Sequence, residues 1–118
     1  MIKVLDIFKG TNIVGVKVSG KVDSDDLKRL DFEIEEKVEK YGKIRFYTDM
    51  IDHEGWTALG ILKDGIQKVQ YAKKIEKSAV VASEDWDDAI QLADQLTSGE
   101  MRRFSTRQED EAIEWIKL

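Results

Sequence analysis

The chain has 118 residues, with 19 Lys and Arg against 24 Asp and Glu, a formal balance of −5. Charged residues make up 36% and apolar residues 42%, the profile of a folded domain with a well-solvated surface rather than a disordered chain. There is no cysteine and no proline, which excludes disulfides, thiolate zinc sites, prolyl cis bonds and polyproline motifs. A chain this long buries enough surface to fold without such staples. No apolar run has the length of a signal peptide or a membrane span, so a cytoplasmic protein is expected, with residues 1–118 forming one domain.

Residues 2–8 are apolar and short, Lys9-Gly10-Thr11-Asn12 supplies turn chemistry, and Val14, Val16 and Val18 alternate with Gly15, Lys17 and Ser19. This pattern predicts a hairpin whose second strand is closed by Gly20. Ser24 followed by Asp25 and Asp26 is a helix start, with the hydroxyl as cap. Leu27, Leu30, Ile34, Val38 and Tyr41 then form one apolar stripe, stopped by Gly42. A third strand is predicted from Lys43 to about Met50, ending in the polar run 49–55. A second helix is predicted over 57–77, with Leu59, Leu62, Ile66 and Val69 inward. Residues 78–83 are expected to form a fully covered strand. A third helix is expected over 86–96, a last strand over 100–105 and a final helix over 108–118.

The order is β-β-α-β-α-β-α-β-α. The fold class is therefore α/β, a mixed sheet of about five strands flanked by about four helices, parallel apart from the opening hairpin.

In open α/β sheets, ligands bind beyond the carboxyl ends of the strands. Here that edge comprises residues 20–24, 49–57, 83–86 and 105–107. Trp56 and Trp86 fall within it at helix starts, and large amphipathic rings suit either a ligand pocket or an interface. Core packing explains such rings equally well. Asp49, Asp52, His53 and Glu54 form the densest polar cluster. A metal site would need further ligands, but His53 is the only histidine. No phosphate loop, dinucleotide fingerprint or nucleophile elbow is present. A hydrolase or lyase using His53 with Asp49 is the enzymatic alternative to a non-catalytic module, and no cofactor is implied.

Charge is uneven along the helices. Residues 24–41 carry seven acids and four bases, whereas residues 57–77 carry five lysines against two acids. Such lysines are usually a solvated face, and Trp56 and Ile61, off the inward stripe of this basic amphipathic helix, make peripheral contact with an anionic membrane or a partner the alternative. Nucleic-acid binding fits poorly with the acidic balance.

The strings Ile13-Val14-Gly15-Val16-Lys17-Val18-Ser19-Gly20-Lys21-Val22, Gly42-Lys43-Ile44-Arg45, Glu54-Gly55-Trp56-Thr57 and Ala79-Val80-Val81 resemble, in order and spacing, the SpoIIAA-like branch of the bacterial STAS superfamily. The resemblance spans essentially the full length and implies a mixed sheet akin to anti-sigma-factor antagonists and, more distantly, to CRAL-TRIO lipid-binding domains. Those antagonists switch by phosphorylating a serine in an Asp-Ser-x-Gly string, where this chain has Asp52-His53-Glu54-Gly55. The phosphoacceptor is replaced by His53, and Thr57 is the substitute within reach of the helix start. The expected function is a non-catalytic module binding a small apolar or lipid-like ligand through Trp56, Thr57, Trp86, Asp49, His53 and Ile61. The alternative is a regulatory domain docking a protein partner through residues 52–57. The oligomeric state is open, with a homodimer as one arrangement.

Overall fold

The computed structural model describes residues 1–20, 23–53, 73–96 and 99–118. The β-branched alternation of the opening hairpin forms β1 (Ile2–Val4) and β2 (Ile13–Gly20), paired antiparallel with Lys3 opposite Lys17. The first strand is shorter than expected. After Val4 the chain closes a single 3-10 turn, Asp6–Phe8, which folds the Phe8 ring down onto Gly15 of β2. Only a residue without a side chain leaves room for that ring. The Thr11 hydroxyl locks the turn, donating to the Phe8 carbonyl at 2.6 Å and accepting from the Ile13 N–H at 3.1 Å.

Helix α1 (Ser24–Tyr41) is capped by Asp23, not by the Ser24 hydroxyl. Asp23 accepts from the Asp26 N–H at 2.8 Å and Asp26 accepts from the Asp23 N–H at 3.0 Å, a reciprocal capping box. A carboxylate one residue upstream of the serine satisfies the same orphan donors and adds charge at the positive end of the helix. The stop at Gly42 is as expected: with φ 80° it donates to the Val38 carbonyl at 2.8 Å.

Strand β3 (Ile44–His53) runs through the polar residues expected to form a loop. Strand β4 (Ile75–Val81) begins inside the helix predicted over 57–77, so that helix cannot reach Lys77. Ile75 is placed by its partner Ile44 across the ladder and is buried in the core, where a strand uses it as well as a helix would. Residues 54–72, which include most of that predicted helix, lie outside the described residues. A 3-10 turn (Glu84–Trp86), α2 (Asp87–Leu96), β5 (Glu100–Phe104) and α3 (Glu109–Lys117) complete the chain.

Strand order follows chain order, β1-β2-β3-β4-β5, with β2 through β5 parallel, so the mixed α/β sheet is as expected; three α-helices lie among the described residues. One face of the sheet carries Val14, Val16, Val18, Ile44 and Val80 against Leu30 and Ile34 of α1 and Ile90 of α2. The other carries Ile13, Tyr47, Ala79, Val81 and Phe104 against Phe8 and against Ala112 and Ile116 of α3.

Tyr47 is fully buried on this second face, its ring 5.3 Å from that of Phe8, and its hydroxyl has no hydrogen-bond partner among the described residues. Burial, and then the carboxylates of Glu109 and Asp49, push the phenol well above its ordinary 10.0. A raised pKa gives stability that is present below pH 10 and lost as pH rises further. Tyr47→Phe is therefore expected to change stability at pH 7 by less than about 1 kcal/mol, since the hydroxyl has at best a poor bond to Glu109 to lose, and to flatten the loss of stability above pH 10. Urea denaturation at pH 7 and at pH 10.5 checks both.

Candidate functional site

Each α-helix of the described residues starts at the carboxyl edge of the parallel strands, and each first turn is acidic: Asp25 and Asp26 in α1, Asp87 and Asp88 in α2, Glu109, Asp110 and Glu111 in α3. Such placement stabilises every helix locally, because carboxylates suit the positive end of the dipole. The joint result is an acidic rim along one edge of the molecule.

Two of these acids are neutralised where they stand, Asp26 by Arg29 and Asp87 by Arg103, while a second set of basic groups is used at the opposite edge. Arg45 donates to the Ile116 carbonyl at 2.8 Å and Lys77 to the Trp115 carbonyl at 2.6 Å, closing the end of α3. The Lys77 ammonium also lies 4.2 Å from the centre of the Trp115 ring. Arg45 pairs with Glu76 at 2.9 Å, which holds the Glu76 carboxyl below its usual range.

Of the residues expected at the site, Asp49 is buried in β3 between Lys17 and Val81 in the ladder, on the α3 face with Tyr47. His53 is the last residue of β3, opposite Gly20. Trp86 ends its 3-10 turn 4% exposed, packed on the α1–α2 face with Ile90. Asp49 and Trp86 thus share the carboxyl edge but stand on opposite sides of the sheet. Trp56, Thr57 and Ile61 lie outside the described residues, as do the apolar-ligand pocket beside them, membrane contact through 57–77 and a phosphoacceptor at Thr57. Among the described residues the strand order never reverses, so these strands form no switch point of the kind that opens a ligand crevice in doubly wound folds.

Two features were missed by sequence reasoning. The first is Asp26, 3% exposed, which accepts from the Asp23 and Ile2 backbone N–H groups, pairs with Arg29, and lies 3.6 Å from the α-amino group of Met1. Burial alone would raise its carboxyl, but these donors and cations outweigh burial and hold it at about 2, against an ordinary 3.8. A lowered pKa gives stability that is fully present above about pH 4 and lost as pH falls toward 2. Asp26→Ala is expected to cost about 2–3 kcal/mol at pH 7, and the gap to wild type should narrow between pH 4 and 2. Acid titrations of both proteins followed by circular dichroism check it.

The second is an open groove of about 620 Å³ between the 3-10 turn and the flank of α1, lined by Val4, Leu5, Lys9, Glu33, Lys37 and Tyr41 among others. It lies at the amino end of β2, away from the edge expected to bind. Lys37 bridges its two walls, donating to the Phe8 carbonyl at 3.1 Å and the Thr11 carbonyl at 2.7 Å; burial pushes this ammonium down from its ordinary value. These bonds join residues 26 and 29 positions apart, so no local pattern announces them.

The fold and the family pattern agree. The SpoIIAA-like family model matches residues 13–117, and the chain belongs to the SpoIIAA-like family. A crystal structure of an uncharacterised protein from Shewanella loihica with a SpoIIAA-like fold superposes with a TM-score of 0.71 at 19% identity, covering 88% of this chain and 83% of that one. No curated protein matches. Among the described residues, no helix is long and apolar enough to cross a membrane.

Proposed function

We propose that this chain is a non-catalytic regulatory module that docks a protein partner, as anti-sigma-factor antagonists do, and that the partner presents a basic surface to the carboxyl edge. The exposed acids of the three helix starts, Asp25, Asp88, Glu109, Asp110 and Glu111, carry the proposal, since charge complementarity both steers and selects a partner. Membership of the SpoIIAA-like family supports the class of function. The docking segment 52–57 expected from the sequence begins at the end of β3, which reaches the same edge.

Asp88 and Asp110 are exposed, and reversing their charge costs about 1 kcal/mol each at the helix starts, so circular dichroism accompanies the binding assay to show that the variant is folded. The test is affinity capture from the native cell, followed by titration with the purified partner. Asp88→Lys/Asp110→Lys is expected to weaken binding at least about tenfold and to remove most of its salt dependence. Trp56→Ala tests the loop in the same assay. Equal binding by all three proteins overturns docking at this edge. A co-purified lipid, or flotation with anionic vesicles in place of a protein partner, overturns the function in favour of the apolar-ligand or membrane alternative.

A further inference from the structure

The bonds Ser19 N–H to Met1 carbonyl (2.9 Å) and Leu5 N–H to Gly15 carbonyl (2.8 Å) fix which groups of β1 face β2. In an antiparallel ladder the bonded pairs alternate, so Met1, Lys3 and Leu5 point their backbone at β2, while Ile2 and Val4 point theirs outward. The outward Ile2 N–H is taken by the Asp26 carboxylate at 3.2 Å. The Val4 N–H, the Val4 carbonyl and the Ile2 carbonyl have no hydrogen-bond partner among the described residues. Val4 and Leu5 line the groove whose far wall is the flank of α1. An open strand edge beside a helix is the arrangement that takes an added strand, in which backbone bonds give affinity and the helix wall reads alternate side chains.

The charge on that wall states what the side chains should be. Glu33, Glu36 and Glu39 line it with Lys37 and Lys40. Lys37 spends its donors on two carbonyls and Lys40 lies 5.5 Å from the centre of the Tyr41 ring; over the whole lining Asp6, Glu33, Glu36 and Glu39 face Lys9, Lys37 and Lys40, a balance of one net negative charge. We propose that an extended, basic segment of a partner protein adds to the outer edge of β1, bonding to Val4 and directing alternate Lys or Arg side chains at Glu33 and Glu36. The block of the Ile2 N–H by Asp26 limits the added strand to the Val4 end and disfavours long edge-to-edge pairing of two copies of this chain. This site is separate from the acidic rim and does not depend on docking there.

The probe is a capped hexapeptide of alternating valine and lysine, titrated into the 15N-labelled full chain. Expected are shifts at Val4, Leu5, Glu33 and Glu36 and at least about tenfold slower hydrogen exchange at the Val4 amide. Two controls act on the peptide, so folding of the protein is not at issue. N-methylation of its alternate amides should abolish binding, and exchange of lysine for glutamate should do the same. Glu36→Lys should weaken binding about tenfold, whereas Asp88→Lys/Asp110→Lys should leave it unchanged. Absence of shifts at millimolar peptide, shifts confined to the carboxyl edge, or equal binding by the N-methylated peptide overturns the proposal. So does concentration-dependent self-association that displaces the peptide, since a second copy would then be the occupant.

Discussion

Gly99→Ala is expected to destabilise the protein by about 3 kcal/mol or more, the largest effect of any single methyl in the described chain. A Cβ at this position would lie 2.4 Å from the carbonyl carbon of Glu76, 2.5 Å from its oxygen and 2.6 Å from the Ile75 oxygen. All three are backbone atoms of β4. They cannot rotate away as a side-chain tip could, because β4 is held on both sides, by Ile44 opposite Ile75 in β3 and by Glu100 opposite Lys77 in β5. Relief requires either β5 to move off the sheet or the start of β4 to shift. The second route also strains the Glu76 carboxylate, which receives Arg45 at 2.9 Å and Asn12 at 3.2 Å and so ties the amino ends of β2, β3 and β4 together. Chemical denaturation with a loss below about 1 kcal/mol would mean that the β5 entry yields freely. Hydrogen exchange should place the damage: β5 amides open first, with β1 and β2 protected.

The sequence discloses the elements of this fold more readily than their edges. The Val14, Val16, Val18 alternation and the Leu30, Ile34, Val38 stripe are local, and both appear where expected. By contrast, β3 extends through Asp49 and His53 because β2 remains alongside it to Gly20, a pairing between residues about thirty positions apart that polarity cannot announce. The same holds for Ile75, whose apolar character fits the last turn of a helix or the first residue of a strand; its partner Ile44 decides the matter. For the candidate site, the unequal charge of the helices was visible in the sequence. That the acidic ends of all three helices meet at one edge follows only from the parallel sheet. The groove was invisible, since its walls come from the hairpin turn and from the far end of α1, and Lys37 reads as one more solvated lysine until its two carbonyl acceptors are known.

Phe8 and Gly15 should behave as one unit. The Phe8 side chain is 1% exposed, packs 5.3 Å from Tyr47 and closes the sheet face that α3 leaves uncovered, so Phe8→Ala is expected to cost about 3–4 kcal/mol. Gly15→Ala inserts a Cβ at 2.2 Å from Cδ2 of the same ring and should cost about 1–3 kcal/mol, less than Gly99→Ala because a ring can tilt where a strand backbone cannot. In the Phe8→Ala background the ring is gone and the added methyl enters the vacated space. The double variant should therefore be no less stable than Phe8→Ala alone, with a coupling of about 1–3 kcal/mol. Denaturant titration of the four proteins measures it. Strict additivity would show that the ring leaves Gly15 at no cost, contrary to the packing described. The same pair links stability to the groove. Phe8 carries the carbonyl that anchors Lys37, so Gly15→Ala, by lifting the turn, should weaken the bridge between the groove walls while the acidic rim stays unchanged. Lys37 ammonium signals in the NMR spectrum should then exchange faster with water in Gly15→Ala than in wild type, and an unchanged rate would separate the turn from the groove.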